Sequence, residues 1–410
     1  MSPYRILAAT ALVTLISVSG VALPYPILAP LFLDLAHPVS QFANLPPKLL
    51  LGVILAIYPL GILIGSNLIG AWSDRFGRRT ILLWTMVGSA LGYFLSAQAI
   101  AQGNFLLFAL SRLVTGLFEG NLSVARAIAS DLHPKIDRTK AFSWLSATTY
   151  GGYLIGPLLG GVLLPLGAPV AFAVAGIACA IAVGVIAVAL PKDRPAAFGQ
   201  TAERHSLALL RDPRIRAFFS LYLLLMLAVN GFYEFYPVWL LEVRQFDSLD
   251  IAGATVLLTS TMIAVATLVN VRAKQRLGLA RAGVVGMALF SLPLLLLPLS
   301  AGHYVLSFIL MGAGIALYNA MLPSFLAERG GDYGQGALMG LMATTFFLGN
   351  VIMALLGSAL ALLDTRLVLT LSGLFGAVAM AQFGHLHFRR TTWPRPVSQA
   401  PAEKPAAGGL

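Results

Sequence analysis

Gly70-Ala-Trp-Ser-Asp74-Arg75-Phe76-Gly77-Arg78-Arg79 decides how this 410-residue chain is read. The stretch lies between two apolar runs, 48–71 and 80–100, and packs one acid, three arginines and a glycine into the polar gap between them. Such a gap is a tight turn between two membrane helices. Gly77 suits a short turn whose backbone must take positive φ, and arginines enter hydrocarbon only at a cost, so they hold the turn on the charge-accepting side of a bilayer. Asp74 is the odd member. It either balances the local charge or latches onto the end of a neighbouring helix.

The rest of the chain has the same character. Hydrophobic residues make up 58% and charged residues 10%, with a mean hydropathy of +0.84, whereas about a quarter of an average soluble domain is charged. This is the composition of a polytopic membrane protein. A net charge of +11 would suit a nucleic-acid partner only if the basic residues shared a face, but they sit in short gaps between apolar runs and therefore set membrane orientation. One cysteine, Cys179, excludes a disulfide framework, and no cluster suggests a metal site. The first apolar run, to about Asp34, exceeds the roughly 7–15 residues of a signal-peptide core and is expected to remain as the first span.

Each crossing needs about 20 mostly apolar residues, and twelve runs qualify: 6–33, 48–71, 80–100, 104–130, 139–164, 168–190, 216–242, 249–271, 281–299, 302–328, 334–362 and 366–387. The expected fold is therefore all-α, with twelve transmembrane helices and both termini on one side. Of the 27 lysines and arginines, 22 fall at the termini and in the connections on that side, and only Lys48, Arg244 and Arg366 fall in the opposite loops. The positive-inside rule then places both termini in the cytoplasm of a cell whose plasma membrane, expected to be a bacterial inner membrane, holds the chain.

The longest internal connection, 191–215, carries Pro191, Pro195 and Pro213 among basic residues and reads as a cytoplasmic linker between two six-helix bundles, 1–190 and 216–387. The bundles look duplicated. Arg5, Gly20, Tyr25 and Pro26 recur at one offset as Arg216, Gly231, Tyr236 and Pro237, and Arg75 and Gly77 recur as Arg276 and Gly278. The tail, 388–410, is rich in Pro and Ala without periodicity and is expected to be disordered.

Ionisable residues at bilayer depth cost several kcal/mol unless paired or hydrated, so they are where function is sought first. Arg112, Glu119 and Arg126 in the fourth span are spaced by seven, which on a straight helix makes one stripe roughly 21 Å long. Gly116, Gly120 and Ser123 flank it and leave room for a ligand or a helix. The alternative is a buried Arg–Glu–Arg network that only fixes packing, an arrangement that is expensive when fully dry. Two cations around one acid favour an anionic or zwitterionic substrate. In the seventh span Glu234 follows Asn230 by one turn inside Phe232-Tyr-Glu-Phe-Tyr236-Pro237. A carboxyl there can carry the proton of a coupled cycle or simply bond an adjacent helix. Asp34 stands at the outer mouth of the first span, after Pro24, Pro26 and Pro30, which should kink that helix. In the fifth span Gly152, Gly156 and Gly160 form one smooth face, with Gly161 beside it and a bend at Pro157.

These motifs resemble the major facilitator superfamily, and within it the twelve-helix drug:proton antiporters, the tetracycline exporters most of all. Gly70 to Arg79 is similar to the loop signature between helices two and three, and Gly20 with Pro24 to the first-helix signature. Arg112 with Gly116 and Gly120 resembles the helix-four arginine motif, implicated in that family in proton transfer. Gly152 to Gly161 resembles the helix-five motif that marks exporters. The resemblance implies alternating access, in which proton entry drives the exit of a drug, a metabolite or a siderophore, with the proton gradient as energy source and no cofactor. It does not carry over the tetracycline site, because the acids of helices three and nine are absent here, whereas Glu119, Arg126 and Glu234 fall outside the family signatures and are the candidates for what distinguishes this chain. The expected partners are a small-molecule substrate, protons and the bilayer, with a monomer as the working unit.

Two further expectations follow. Arg75, Arg78 or Arg79 should bridge Asp74 to Asp131 at the end of the fourth span, and Asp74 should reach the start of the eleventh helix near Tyr333, so that the loop latches the outward-open state on one side only. An enzyme would need a catalytic cluster, but the six histidines are scattered at span ends. The rival within transport is a uniporter or proton symporter that imports a metabolite.

Overall fold

The computed structural model describes residues 2–191, 206–299, 301–329 and 335–388. Twelve apolar helical spans run through them, and two of the spans are broken, which gives fourteen helices. The first span is α1, Pro3–Ala22, and α2, Tyr25–Leu33. Pro24 and Pro26 lack the N–H groups that would bond back into α1, so the chain turns at Leu23 and Pro24 as expected. The second and third spans are α3, Pro47–Phe76, and α4, Arg78–Ala101. The fourth is α5, Phe105–Leu117, and α6, Asn121–Asp131, followed by α7, Arg138–Leu163, and α8, Ala168–Ala189.

The second half begins at Pro213 with α9, Pro213–Arg244, and continues with α10, Ser248–Leu268, α11, Asn270–Leu296, whose helical backbone is interrupted at Gly278, α12, Tyr304–Arg329, α13, Gln335–Ala361, and α14, Thr365–Phe388. Polar residues placed at the ends of the apolar runs cap several of these helices. Asn104 accepts from the Leu107 N–H at 3.0 Å, Asp137 from Lys140 at 3.1 Å, and Asp212 from Arg214 at 2.8 Å. Asp247 and Asp250 form a capping box at the start of α10.

The break in the fourth span corrects the straight stripe expected there. Helical φ/ψ is lost at Phe118, whose N–H bonds Thr115 at 3.1 Å, and Glu119 bonds Gly116 in the same tightened way at 3.1 Å. The Ser123 hydroxyl donates to the Gly120 carbonyl at 2.7 Å. These local bonds compete with the helix ladder, so Arg112 and Arg126 ride on separate helices with Glu119 in the gap.

Packing repeats the sequence duplication. Within the first half α1 packs on α7 and α8, and α5 on α3 and α4; within the second, α9 packs on α13 and α14, and α12 on α10 and α11. The halves meet through α3 against α13 and α7 against α10, two contacts that exchange under a twofold relation of the bundles. Gly77 sits at φ 96° and Gly278 at φ 76°, so the turn glycine is used at equivalent places in both halves. The seventh span, unlike the first, stays helical through its interior proline, Pro237.

Candidate functional site

A cavity of about 370 Å³ lies between the halves. One wall carries Arg112, Glu119, Gly120, Ser123 and Arg126; the other carries Glu234 from α9 and Phe346, Phe347 and Asn350 from α13. Four of the ionisable residues singled out in the sequence are thus brought together.

Arg112 projects from α5 and is 2% exposed. Its guanidinium lies 4.1 Å from the centre of the Tyr58 ring and 5.8 Å from that of Phe172, the cation–π geometry that replaces some lost hydration. Gly116, one turn on, faces the Tyr58 carbonyl so closely that a Cβ would clash with α3. The glycine therefore sets the α3–α5 approach that puts Tyr58 under Arg112. Arg126, on α6, is exposed to the cavity mouth.

Glu119 is held by neutral donors. Ser17 donates to one carboxylate oxygen at 3.0 Å and Tyr93 to the other at 3.4 Å, while Asn121 donates to the Ser17 hydroxyl at 3.2 Å. Among the described residues neither Arg112 nor Arg126 comes within the 4.0 Å of an ion pair with it. A Cβ on Gly20 would stand 2.7 Å from the Tyr93 hydroxyl, so that glycine clears the path by which Tyr93 reaches Glu119.

Glu234 is 5% exposed, and neither carboxylate oxygen has a hydrogen-bond partner. Asn230 does not line the cavity. It accepts from Asn350 at 2.9 Å and donates to the Phe346 carbonyl at 3.1 Å, so it fixes α13 and aims Asn350 at the cavity in its place. Asp34 is exposed beyond the end of α2, accepts from the Ala36 N–H at 3.0 Å and lies outside the cavity lining.

The cavity is shut at the end where the first outer loop lies. Lys48 at the start of α3 pairs with Glu242 near the end of α9 at 2.7 Å and donates to the Ala361 carbonyl at 2.7 Å; Thr365 donates to Glu242 at 2.6 Å. The Tyr25 and Tyr233 rings meet across the halves at 6.4 Å. The fifth-span glycines belong to the same end. Gly152, Gly156 and Gly160 lie against α1 and the turn after it, within one half, whereas Gly161 lies against α10 in the other, its carbonyl accepting from Ser248 at 3.2 Å. Pro157 sits within α7. At the opposite end the walls part: Ser123 and Arg126 are exposed, and a Cβ on Gly340 would meet nothing within 4 Å.

At that open end Arg78 reaches Asp131 at 3.5 Å and donates to the Ser73 hydroxyl at 2.7 Å, Arg79 donates to the Ala187 carbonyl at 2.9 Å, and Arg75 lies over the Phe76 ring. The surroundings of Gly70 and of the Asp74 side chain, and Tyr333, lie outside the described residues. The second half has its own pair, Lys274 with Glu328 at 3.4 Å. Charge reading found the four ionisable groups but missed Ser17, Tyr58, Tyr93 and Asn350, because uncharged polar residues are common in spans. Lys48 and Glu242, nearly 200 positions apart, had only their charge at a span end to mark them.

The family model of the Major Facilitator Superfamily matches residues 10–273. The tetracycline resistance protein, class H, of Pasteurella multocida is 25% identical over 410 residues, covering 95% of this chain and 98% of its own. Among solved structures, the nucleoside transporter NupG superposes with a TM-score of 0.79 at 13% identity over 93% of this chain and 99% of that one. The human organic anion transporter MFSD10 superposes with 0.67 at 22% identity, over 93% and 100%. With a family match over more than half its length and a twelve-span fold that closes around a cavity, the chain belongs to the Major Facilitator Superfamily and is an integral membrane transporter.

Proposed function

We propose that this transporter is a proton-coupled exporter of small anionic or zwitterionic organic molecules that works by alternating access. The observation that carries the reading is the cavity between the halves, which bears Arg112, Glu119 and Arg126 on one wall and Glu234 on the other and is closed at one end only. A site at the interface of two repeats is opened to either side when one repeat rocks against the other. The rocking bodies are 1–190 and 216–387; most of the linker 191–215 and of the tail 388–410 lies outside the described residues. The excess of Lys and Arg on the side of the termini puts both ends in the cytoplasm of an inner membrane. In that orientation the Lys48–Glu242 end faces out, so this conformation takes substrate from the cytoplasm.

Export is supported by the Gly152–Gly161 row and by the relative named for tetracycline resistance; an acidic substrate group is supported by Arg112 and by the solved relative named for organic anions. The loop at Gly70 to Arg79, tied to Asp131 within its own half by Arg78, latches the opposite state by meeting the second half. Proteoliposomes and everted vesicles offered tetracycline and rhodamine B under an imposed pH gradient test the scheme. Accumulation in everted vesicles that a protonophore abolishes is expected. Indifference to the gradient overturns proton coupling, and accumulation only in right-side-out vesicles overturns export in favour of symport.

A further inference from the structure

Two groups of opposite charge stand unsatisfied in the one cavity. Arg112 leaves Nε and Nη1 without a hydrogen-bond partner, and Glu234 leaves both carboxylate oxygens so, at 2% and 5% exposure. They come from opposite halves, and among the described residues no ion pair joins either to another side chain. A buried ion without a partner is among the most unfavourable arrangements in a protein interior, so both positions are built for partners the chain does not supply. Glu119 differs, because Ser17 and Tyr93 already hold it.

The elements packed around Glu234 offer it no fixed cation. On α9 its titratable neighbours are Tyr233 and Tyr236, and the Tyr236 hydroxyl is committed to Thr255 at 2.5 Å. Facing α2 brings Tyr25, and α7 brings Tyr153 to the same cavity. Helix α13 has no titratable residue; Asp250 of α10 is engaged in its capping box, Arg366 and His385 stand near the two ends of α14, and Arg211 lies in the short turn before α9. The cavity that the carboxyl lines also carries aromatic rings, those of Tyr25, Tyr153, Phe346 and Phe347. Ring faces favour an organic ammonium group.

We propose that Glu234 is the exchange carboxyl of the cycle, holding in turn one proton and the ammonium group of a zwitterionic aromatic substrate whose acidic group lies on Arg112. The inference rests on the export reading and narrows its substrate to molecules with both charges. When the ammonium enters, the carboxyl proton leaves to water at the open end; when a proton arrives in the other state, the ammonium is released. Glu119 is a positioning residue that keeps the fourth-span break and the Arg112 wall in place.

Infrared difference spectra of the purified full chain in nanodiscs, titrated from about pH 5 to about pH 9, above the range in which ordinary carboxyls exchange their protons, test this without any substrate. Glu119→Gln, which leaves Glu234 as the one acid among the described residues of the cavity, should show a buried carboxylic-acid C=O band that titrates away, and the double variant Glu119→Gln with Glu234→Gln should lack it. Phenylalanine, an aromatic zwitterion with an ammonium group, should erase the band at fixed pH and bind about tenfold weaker to Glu234→Gln and to Arg112→Gln, roughly 1.4 kcal/mol for each. Fluorescein, which has no ammonium, should leave the band unchanged. A band that survives in the double variant, or one that phenylalanine leaves intact in Glu119→Gln, overturns the proposal. Unfolding of the variants is monitored by their melting, and the conservative Glu234→Asp should restore a titrating band. Loss of gradient-driven flux with the band behaviour intact would instead count against the export reading alone.

Discussion

At the scale of single residues, burial and partnership separate groups that share a charge. Glu119 and Glu234 are both carboxyls in one cavity, yet the first sits in a helix break among hydroxyl donors and the second on a continuous helix among rings. Spacing by seven brought attention to Arg112, Glu119 and Arg126 for a reason that is only half right: periodicity predicts a shared face on a straight helix, and the residues share a cavity although the helix is broken. Arg112 shows how neighbours set what a charge can do. It lies on Tyr58 at 4.1 Å, and a planar guanidinium stacks where an ammonium on a flexible stem does not. Arg112→Lys is expected to keep the charge but lose the stack, lowering transport about fivefold to tenfold, near 1 kcal/mol of interaction, with no change in the amount of folded protein. Vesicle flux alongside detergent melting checks it, and equal losses in both would assign Arg112 to packing.

At the scale of elements, one row of glycines in α7 does two jobs. Gly156 lies under the Ala22 Cβ, 2.9 Å from where its own Cβ would be, inside the first half, whereas a Cβ on Gly161 would stand 2.6 Å from the Ala252 Cβ and 2.7 Å from the Ser248 carbonyl across the interface of the halves. Added bulk has different consequences at the two places. Gly156→Val should separate α7 from α1 and destabilise the half by about 1–3 kcal/mol, as overpacking does, with lower yield and melting temperature. Gly161→Val should leave melting of the half intact but keep the outer ends apart, so that a cysteine introduced at Leu28 in the cavity reacts faster with a membrane-impermeant reagent added outside. Equal loss of folded protein in both variants would remove the distinction. The sequence shows a smooth glycine face; only the packing shows that three of its members face inward within a half and one faces the other half.

For the whole molecule, the proposed alternating access makes the balance between its two open states depend on contacts between the halves at either end. Lys48, Glu242, Thr365 and the Ala361 carbonyl form such a set at the closed end. The pair is partly exposed, with side-chain exposures of 21% and 30%, so its coupling is expected at the modest end, about 1 kcal/mol or a few-fold in population. Lys48→Met and Glu242→Gln should each raise outside reactivity of the Leu28 cysteine a few-fold. The double variant should do no more than either single one, and the charge exchange Lys48→Glu with Glu242→Lys should bring reactivity back down. Fully additive effects would show that the two residues do not act as a pair. The turn glycine at Gly77 and its echo at Gly278 mark the repeat in both the chain and the fold. Twelve apolar runs, their charge asymmetry and the duplicated motifs were therefore decided by the sequence alone, because a bilayer demands about 20 apolar residues per crossing and sorts cations to one side whatever the packing. The tertiary structure alone decided the break at Glu119, its hold by Ser17 and Tyr93, the isolation of Glu234 and the Lys48–Glu242 closure. Those features depend on which polar group lies within about 3 Å of which other across helices far apart in the chain, a relation that no local spacing encodes.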